Sequence, residues 1–229
     1  MQLFITQIEI QNNFAVLKSK EVIHQLTKVL RAKTWYIFQT QEFSENWATR
    51  YTLEIIEIQK DSIECKILDK ESKEIKSENF WIIVCLPNNF DKLELMVKKL
   101  TEIWIPNIVL RASQRSVIKD INFKKIERLT KIILEACEQS KSWSLPKLEI
   151  IKNINDFISD KNLIILNFDG EKDIKLESKE NVYFVVWPEW WFDSKDLEIV
   201  SPRIYKTLNL WENVLRTETG AIIWWRLIK

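Results

Sequence analysis

The sequence predicts an α/β protein in two parts, a small β-barrel followed by a mostly parallel α/β sheet, and three observations carry that reading. Apolar and polar residues largely alternate through much of the first part, as in Y-T-L-E-I-I-E-I-Q (51–59), the period of half-buried strands. A charged stretch with almost no apolar residue, D-K-E-S-K-E-I-K-S-E-N (69–79), then breaks the pattern and reads as a linker. Beyond it strands alternate with helices, the rhythm of a parallel sheet with its ligand chemistry at the carboxyl ends of the strands. The expected division is a barrel over 1–70, a linker over 71–79 and an α/β domain over 80–229.

In the barrel, strands are expected at Leu3–Ile10, Tyr36–Gln41, Arg50–Gln59 and Ser62–Leu68. One helix interrupts them at about Ser19–Arg31: Val22, Leu26, Val29 and Leu30 recur at helical spacing, and Ser19 can cap the start. The second part opens with an apolar strand, Phe80–Leu86. A helix at Phe90–Ile103 follows, with Leu93, Met96, Val97, Leu100 and Ile103 in one stripe. Next come a strand at Asn107–Leu110 and a long helix at Phe123–Glu138 that turns Ile126, Leu129, Ile133 and Ala136 to the core. Strands at Leu163–Phe168 and Val182–Val186, a helix near Asp193–Val200, a strand at Tyr205–Leu208 and a last helix from about Glu212 complete the order.

Composition narrows the function classes. Lys+Arg 34 against Asp+Glu 33 leaves a net charge of +1, so no global field draws in nucleic acid or an anionic membrane, and any such binding rests on local patches. No apolar stretch approaches the ~18 residues of a membrane span, and the start lacks a basic segment followed by an apolar core, so a cytoplasmic protein is expected. Cys65, Cys85 and Cys137 are widely spaced and His24 is the single histidine, which indicates neither a disulfide frame nor a metal site. His24 is expected to be a packed or hydrogen-bonded structural residue. One pair of numbers is abnormal: Gly is 2 and Trp is 11, where an average domain of this length holds roughly sixteen glycines. Either turns are built from Asn and Asp, or some of the tryptophans are not tryptophan.

Two loops, each following an expected strand, concentrate the anomaly: W-P-E-W-W-F (187–192) and L-N-L-W-E-N-V-L-R-T-E-T (208–219). With Gly in place of Trp they read G-P-E-G-G-F and L-G-E-N-V-L-R-T-E-T, bends whose bare backbone can close around a flat adenine and a ribose. So written, they closely resemble the RsmE-type 16S ribosomal RNA uridine N3-methyltransferases, members of the knotted SPOUT class that use S-adenosylmethionine. The resemblance extends through His24 with Val29-Leu30-Arg31, Lys99–Trp104 (K-L-T-E-I-W), Arg115-Ser116-Val117 and Glu135–Ser140 (E-A-C-E-Q-S) with Pro146 following, in order across most of the chain. Trp35, Trp104, Trp187, Trp190, Trp191 and Trp211 fall where the family writes Gly, and Trp47 joins them. A gene that uses UGA for glycine, conceptually translated with UGA as tryptophan, accounts for this. Trp81, Trp143, Trp224 and Trp225 stay open. The rival account is a Trp-rich surface that stacks RNA bases. The chain departs from the family at Ser142, where the family has Arg, and at Gly220, where it generally has Ala and the change is expected to be harmless.

The resemblance implies a PUA-like barrel, a SPOUT domain with a trefoil knot formed by the two loops, a homodimer, and the small-subunit 16S rRNA as partner. It implies that Leu166, Trp187, Pro188, Glu189, Trp190, Trp191, Leu208, Leu210, Trp211, Leu215, Arg216 and Thr217 wrap S-adenosylmethionine, and that as literal indoles Trp187, Trp190 and Trp191 crowd the cleft lined by residues 210–217. Catalytic candidates are Arg216, Glu189 and Glu218. Paired donors suit Arg216 to a phosphate or to a uracil carbonyl as N3 loses its proton, or it forms a salt bridge to Glu218. Glu189 orients the ribose or caps its own loop, Thr217 and Thr219 can cap the last helix, and the base is Glu218, Glu189 or water. RNA contacts are expected from Arg31, Arg111, Arg115, Ser116, Lys124, Lys125 and Arg128, or these charges form a solvated face. The alternatives are a catalytically silent RNA-binding assembly factor on the same scaffold, or a knotted methyltransferase with a different target nucleoside.

Overall fold

Six strands make the first sheet: β1 (Leu3–Ile5), β2 (Glu9–Gln11), β3 (Phe14–Leu17), β4 (Ile37–Phe43), β5 (Trp47–Ile58) and β6 (Ile63–Glu74), in the order β1-β4-β5-β6-β3-β2. The computed structural model describes residues 1–75, 80–113, 116–158, 161–172, 182–186, 194–209 and 215–224. The chain divides into Met1–Lys76 with Cys137–Ser144, and Ser77–Ala136 with Leu145–Lys229.

The first unit is barrel-like, with Phe4, Leu17, Leu26, Phe38, Leu53, Ile55 and Ile63 in one core. Each such side chain contributes about 1.5–3 kcal/mol by leaving water. The expected strand at 3–10 is two strands, and β3, absent from the sequence reading, pairs with β2 through an Asn12-Asn13 turn in which Asn12 takes φ 56. The helix expected at 19–31 is shorter. Ser19 caps α1 (Lys20–His24) by accepting from Val22 N–H, and the chain then widens into a π turn at Gln25–Val29, where Leu30 N–H reaches Gln25 O. Thr27 Oγ1 donates to Ile23 O at 2.8 Å, and a hydroxyl competing for that carbonyl favours such a widening. His24 is exposed at the end of α1 rather than packed. β6 continues into the charged stretch as far as Glu74, which pairs with Trp47; past Lys66 it runs beyond its pairing with β3, and a stretch exposed on both faces needs no apolar residue.

The second sheet follows the chain through β7 (Phe80–Cys85), α2 (Phe90–Glu102), β8 (Asn107–Arg111), α3 (Phe123–Ser140), β9 (Lys147–Ile151), α4 (Ile154–Ile158), β10 (Asn162–Glu171), β11 (Val182–Val186), α5 (Ser194–Val200), β12 (Ile204–Leu208) and α6 (Thr217–Ile223). Its order is β12-β10-β11-β7-β8-β9, and every recorded pair is parallel. β7 and β8 are almost wholly buried, which explains their unbroken apolar runs. β9 and α4, short and weakly periodic, escaped the sequence reading. The last helix starts at Thr217, later than Glu212. Its cap position is Arg216, in extended backbone (φ −64, ψ 151) and without a side-chain cap bond, so neither Thr217 nor Thr219 caps it. Trp224, fully buried, holds α6 to the sheet by stacking on Phe184 at 4.0 Å and Phe80 at 4.9 Å between centroids.

The end of α2 shows why backbone conformation bears on the tryptophans. Asn89 caps its start by accepting from Asp91 N–H at 2.8 Å. At its end Trp104 N–H donates to Thr101 O and Ile105 N–H to Leu100 O, each at 3.0 Å, with Trp104 at φ 66. This is the Schellman pattern, whose left-handed residue is usually Gly. Trp104→Gly is therefore expected to stabilise the chain by about 1 kcal/mol, read as a higher urea midpoint at unchanged slope. An unchanged or lower midpoint sinks the expectation.

Candidate cofactor and RNA site

The described cofactor-site candidates lie at one edge of the second sheet. From β7 the chain steps outward through β8 and β9, then returns to place β11 against the other side of β7 with β10 beyond it. Where strand order reverses, the carboxyl ends leave a crevice, the usual ligand position in such sheets. Register puts Val185 beside Ile165 and Ile83, and Leu166 beside Leu208, so β11 and β12 end level with Leu166 of β10. Residues 187–193 continue directly from β11, and 210–214 follow Asn209 after β12. Trp187, Pro188, Glu189, Trp190, Trp191, Leu210 and Trp211 lie outside the described residues, as does the crowding expected of their indoles.

The described members are brought together. Leu166 is half-buried midway along β10 and approaches α6: a Cβ on Gly220 would stand 3.0 Å from Leu166 Cδ1. The family's Ala at this position thus requires that leucine to give way, a constraint invisible in sequence. Leu208 is buried, Leu215 half-buried, Arg216 exposed and Thr217 buried. Glu218, in the first turn of α6, has Oε2 buried with no hydrogen-bond partner among the described residues. Among the described residues no ion pair joins Arg216 to Glu218, and Arg216 is exposed. Buried carboxylate oxygens normally find donors, so this edge fits a ligand that brings an N–H or O–H group.

Gly170 presses β10 onto β12: a Cβ there would meet the backbone of Leu208 and Asn209 at 2.6–2.7 Å. That close approach lets Asn209 N–H donate to Glu171 O at 2.9 Å and fixes where the second loop departs.

The residues expected to touch RNA divide sharply. In the first unit Arg31 is exposed, at φ 52. In the second, Lys124 is exposed, whereas Lys125 is half-buried with its ammonium 4.8 Å from the Phe90 ring. Arg128 is held by Glu94 of α2, with Nε–Oε1 at 2.5 Å and Nη2–Oε2 at 2.8 Å. Arg111 and Ser116 are interior, 5% and 4% exposed. Ser116 Oγ donates to Leu86 O and accepts from Ser113 N–H, both at 2.9 Å, so its hydroxyl ties the loop after β8 to the end of β7. Burial removes both side chains from any surface contact with phosphate. Arg115 lies outside the described residues.

Within the first unit the turn after α3 is bound tightly to the barrel, a feature the sequence did not reveal. Arg50 donates through Nε and Nη2 to Gln41 Oε1 and through Nη2 to Lys141 O, while Gln41 Nε2 donates to Ser142 O at 2.9 Å. The Arg50 guanidinium also lies 4.0 Å from the Trp143 ring centroid, and Lys73 Nζ lies 4.3 Å from it. Burial pulls the Arg50 guanidinium below its ordinary value, against the opposing field of Glu71. Cys65 and Cys137 are core thiols, pushed up to about 12 by burial, and so remain protonated and unreactive at neutral pH.

A parallel sheet with a reversal of strand order, an exposed guanidinium and a buried acceptor unsatisfied among the described residues define an α/β protein with a candidate ligand crevice at its carboxyl edge. The chain belongs to the RNA methyltransferase family, whose domain model matches residues 73–229. Over 230 residues it is 25% identical to the ribosomal RNA small subunit methyltransferase E of Rickettsia conorii, covering 96% of this chain and 91% of that one. The Aquifex aeolicus protein of the same name is 26% identical over 178 residues, 75% and 77% of the two chains. Among solved structures, a ribosomal RNA small subunit methyltransferase E from Neisseria gonorrhoeae bound to S-adenosyl methionine superposes with a TM-score of 0.78 at 21% identity, covering 97% and 94%. That likeness bears out the two-part α/β fold, and the family match bears out the resemblance read from the motifs.

Proposed function

We propose that the chain transfers the methyl group of S-adenosylmethionine to N3 of one uridine in 16S ribosomal RNA. The observation that carries this is the family match over 73–229, with relatives named as small-subunit rRNA methyltransferases aligned along most of the chain. S-Adenosylmethionine bound at the carboxyl edge supplies an electrophilic methyl on a sulfonium. Leu166, Leu208, Leu215 and Thr217, with the two loops, hold and orient that donor. As N3 bonds to the methyl carbon and the carbon–sulfur bond breaks, the imide N–H proton must leave, and negative charge develops over O2, N3 and O4. Arg216 meets that charge with its paired donors. Glu218 Oε2 is the proton acceptor in this reading, because it is buried with no donor among the described residues. Glu189 then serves the donor's ribose or its own loop.

On this reading Glu218→Gln lowers kcat by roughly 100-fold or more, in the range of general-base catalysis, with little change in donor affinity. The deficit narrows at alkaline pH, where the imide ionises unaided; a deficit constant across pH rejects Glu218 as the base. The proposed activity is tested by incubating the chain with 16S rRNA and methyl-labelled donor and mapping the product. A methyl group at another atom moves the reading to a different target nucleoside, and donor binding without label favours the silent assembly factor.

The functional division belongs to the same proposal: a PUA-like RNA-binding barrel whose last strand extends to Glu74, so that the linker expected at 71–79 begins only after it, and a knotted SPOUT domain at 80–229, acting as a cytoplasmic homodimer. Of the residues expected to touch RNA, Arg31 and Lys124 are exposed and, unlike Arg128, have no carboxylate partner among the described residues, which suits them to phosphate. Among the described residues no helix is long and apolar enough to cross a membrane.

A further inference from the structure

We infer from the backbone that the natural protein carries glycine at positions 35 and 104, and tryptophan at 81 and 143. The inference rests on the geometry of each position and is independent of the activity proposed above. Trp35 has φ 73 and is the third residue of a turn closed by Tyr36 N–H to Lys33 O at 3.2 Å. A positive φ there is the mark of a type II turn, which selects glycine. Trp104, at φ 66, is the left-handed residue of a helix-ending Schellman motif, the other common glycine position. Positive φ does not by itself demand glycine, since Asn12, Arg31 and Lys141 share it. Asn adopts this region easily, whereas for a bulky aromatic residue it is an outlier.

Two further observations separate positions 35 and 104 from the rest. These residues are 77% and 60% exposed, and among the described residues neither ring packs on another ring or on a cation to offset the strain. The chain also has 2 glycines where roughly sixteen are expected, so turns of this kind lack the residue they normally use. Trp81 and Trp143 behave in the opposite way. Trp81 stacks on Tyr183 at 5.8 Å and meets the edge of Phe157 at 5.7 Å. Trp143 receives Arg50 and Lys73 on its ring. Glycine at either would strip contacts that their neighbours are built around.

Peptide mass spectrometry of the authentic chain, purified from its source organism and cut with trypsin, tests all four positions. The peptides 34–50 and 100–111 are expected to fragment with glycine at 35 and 104, and the peptides 77–92 and 142–147 to retain indole at 81 and 143. Indole at 35 or 104 overturns the assignment of glycine. Glycine at 81 or 143 overturns the division by packing and makes the replacement general. Neither outcome bears on methyl transfer, which the rRNA labelling assay reads separately.

Discussion

With glycine at positions 187, 190, 191 and 211, the chain is expected to bind S-adenosylmethionine at least about 100-fold more tightly than the same chain with indoles there. Both loops spring from level carboxyl ends, at Val186 and Leu208, beside the reversal of strand order. A ligand seated there must come close to backbone, and a side chain the size of indole fills that space. Overpacking one site costs about 1–3 kcal/mol. Even two such conflicts weaken binding by about 2–6 kcal/mol, so a 100-fold loss (about 2.7 kcal/mol) falls inside that range. Isothermal titration of the two chains with the donor provides the comparison. Equal affinities mean that the loops do not form the cofactor cleft.

Arg216→Ala has the second large effect: a fall in kcat of about 100- to 1,000-fold, the usual consequence of removing one donor to a developing anion. Because Arg216 is exposed and unpaired to Glu218, thermal stability and donor affinity should barely move. Arg216→Lys recovers only part of the rate, since an ammonium cannot offer two parallel donors to a planar imide. A loss confined to KM for the RNA points instead to a phosphate contact. A proportional loss of stability points to a structural role.

Much of the second unit was legible. β11 was read from its own residues because a strand buried on both faces must be apolar throughout, and α2 because its apolar stripe repeats at helical spacing. Legibility failed where a local bond outweighed periodicity. The Thr27 hydroxyl widens the first helix into a π turn, and the Asn12-Asn13 turn makes a hairpin from strands too short to show alternation. The site was legible as motifs along the chain, but the partners of its charges were not. Arg128 pairs with Glu94 on another helix, and Arg111 and Ser116 face inward. Nothing in the run of basic residues after β8 separates those from the exposed Lys124.

By itself, the sequence determined most of the longer strands and helices, which loops bear the family's motifs, and that glycine is missing where bends need it. These properties depend on neighbours a few residues apart, through side-chain period and backbone sterics. Only the tertiary structure decided that β11 lies between β7 and β10, that Glu218 is left with a buried oxygen unsatisfied, and which cations remain free of carboxylates. Those outcomes follow from packing and pairing between residues far apart in the chain, and no local spacing encodes them.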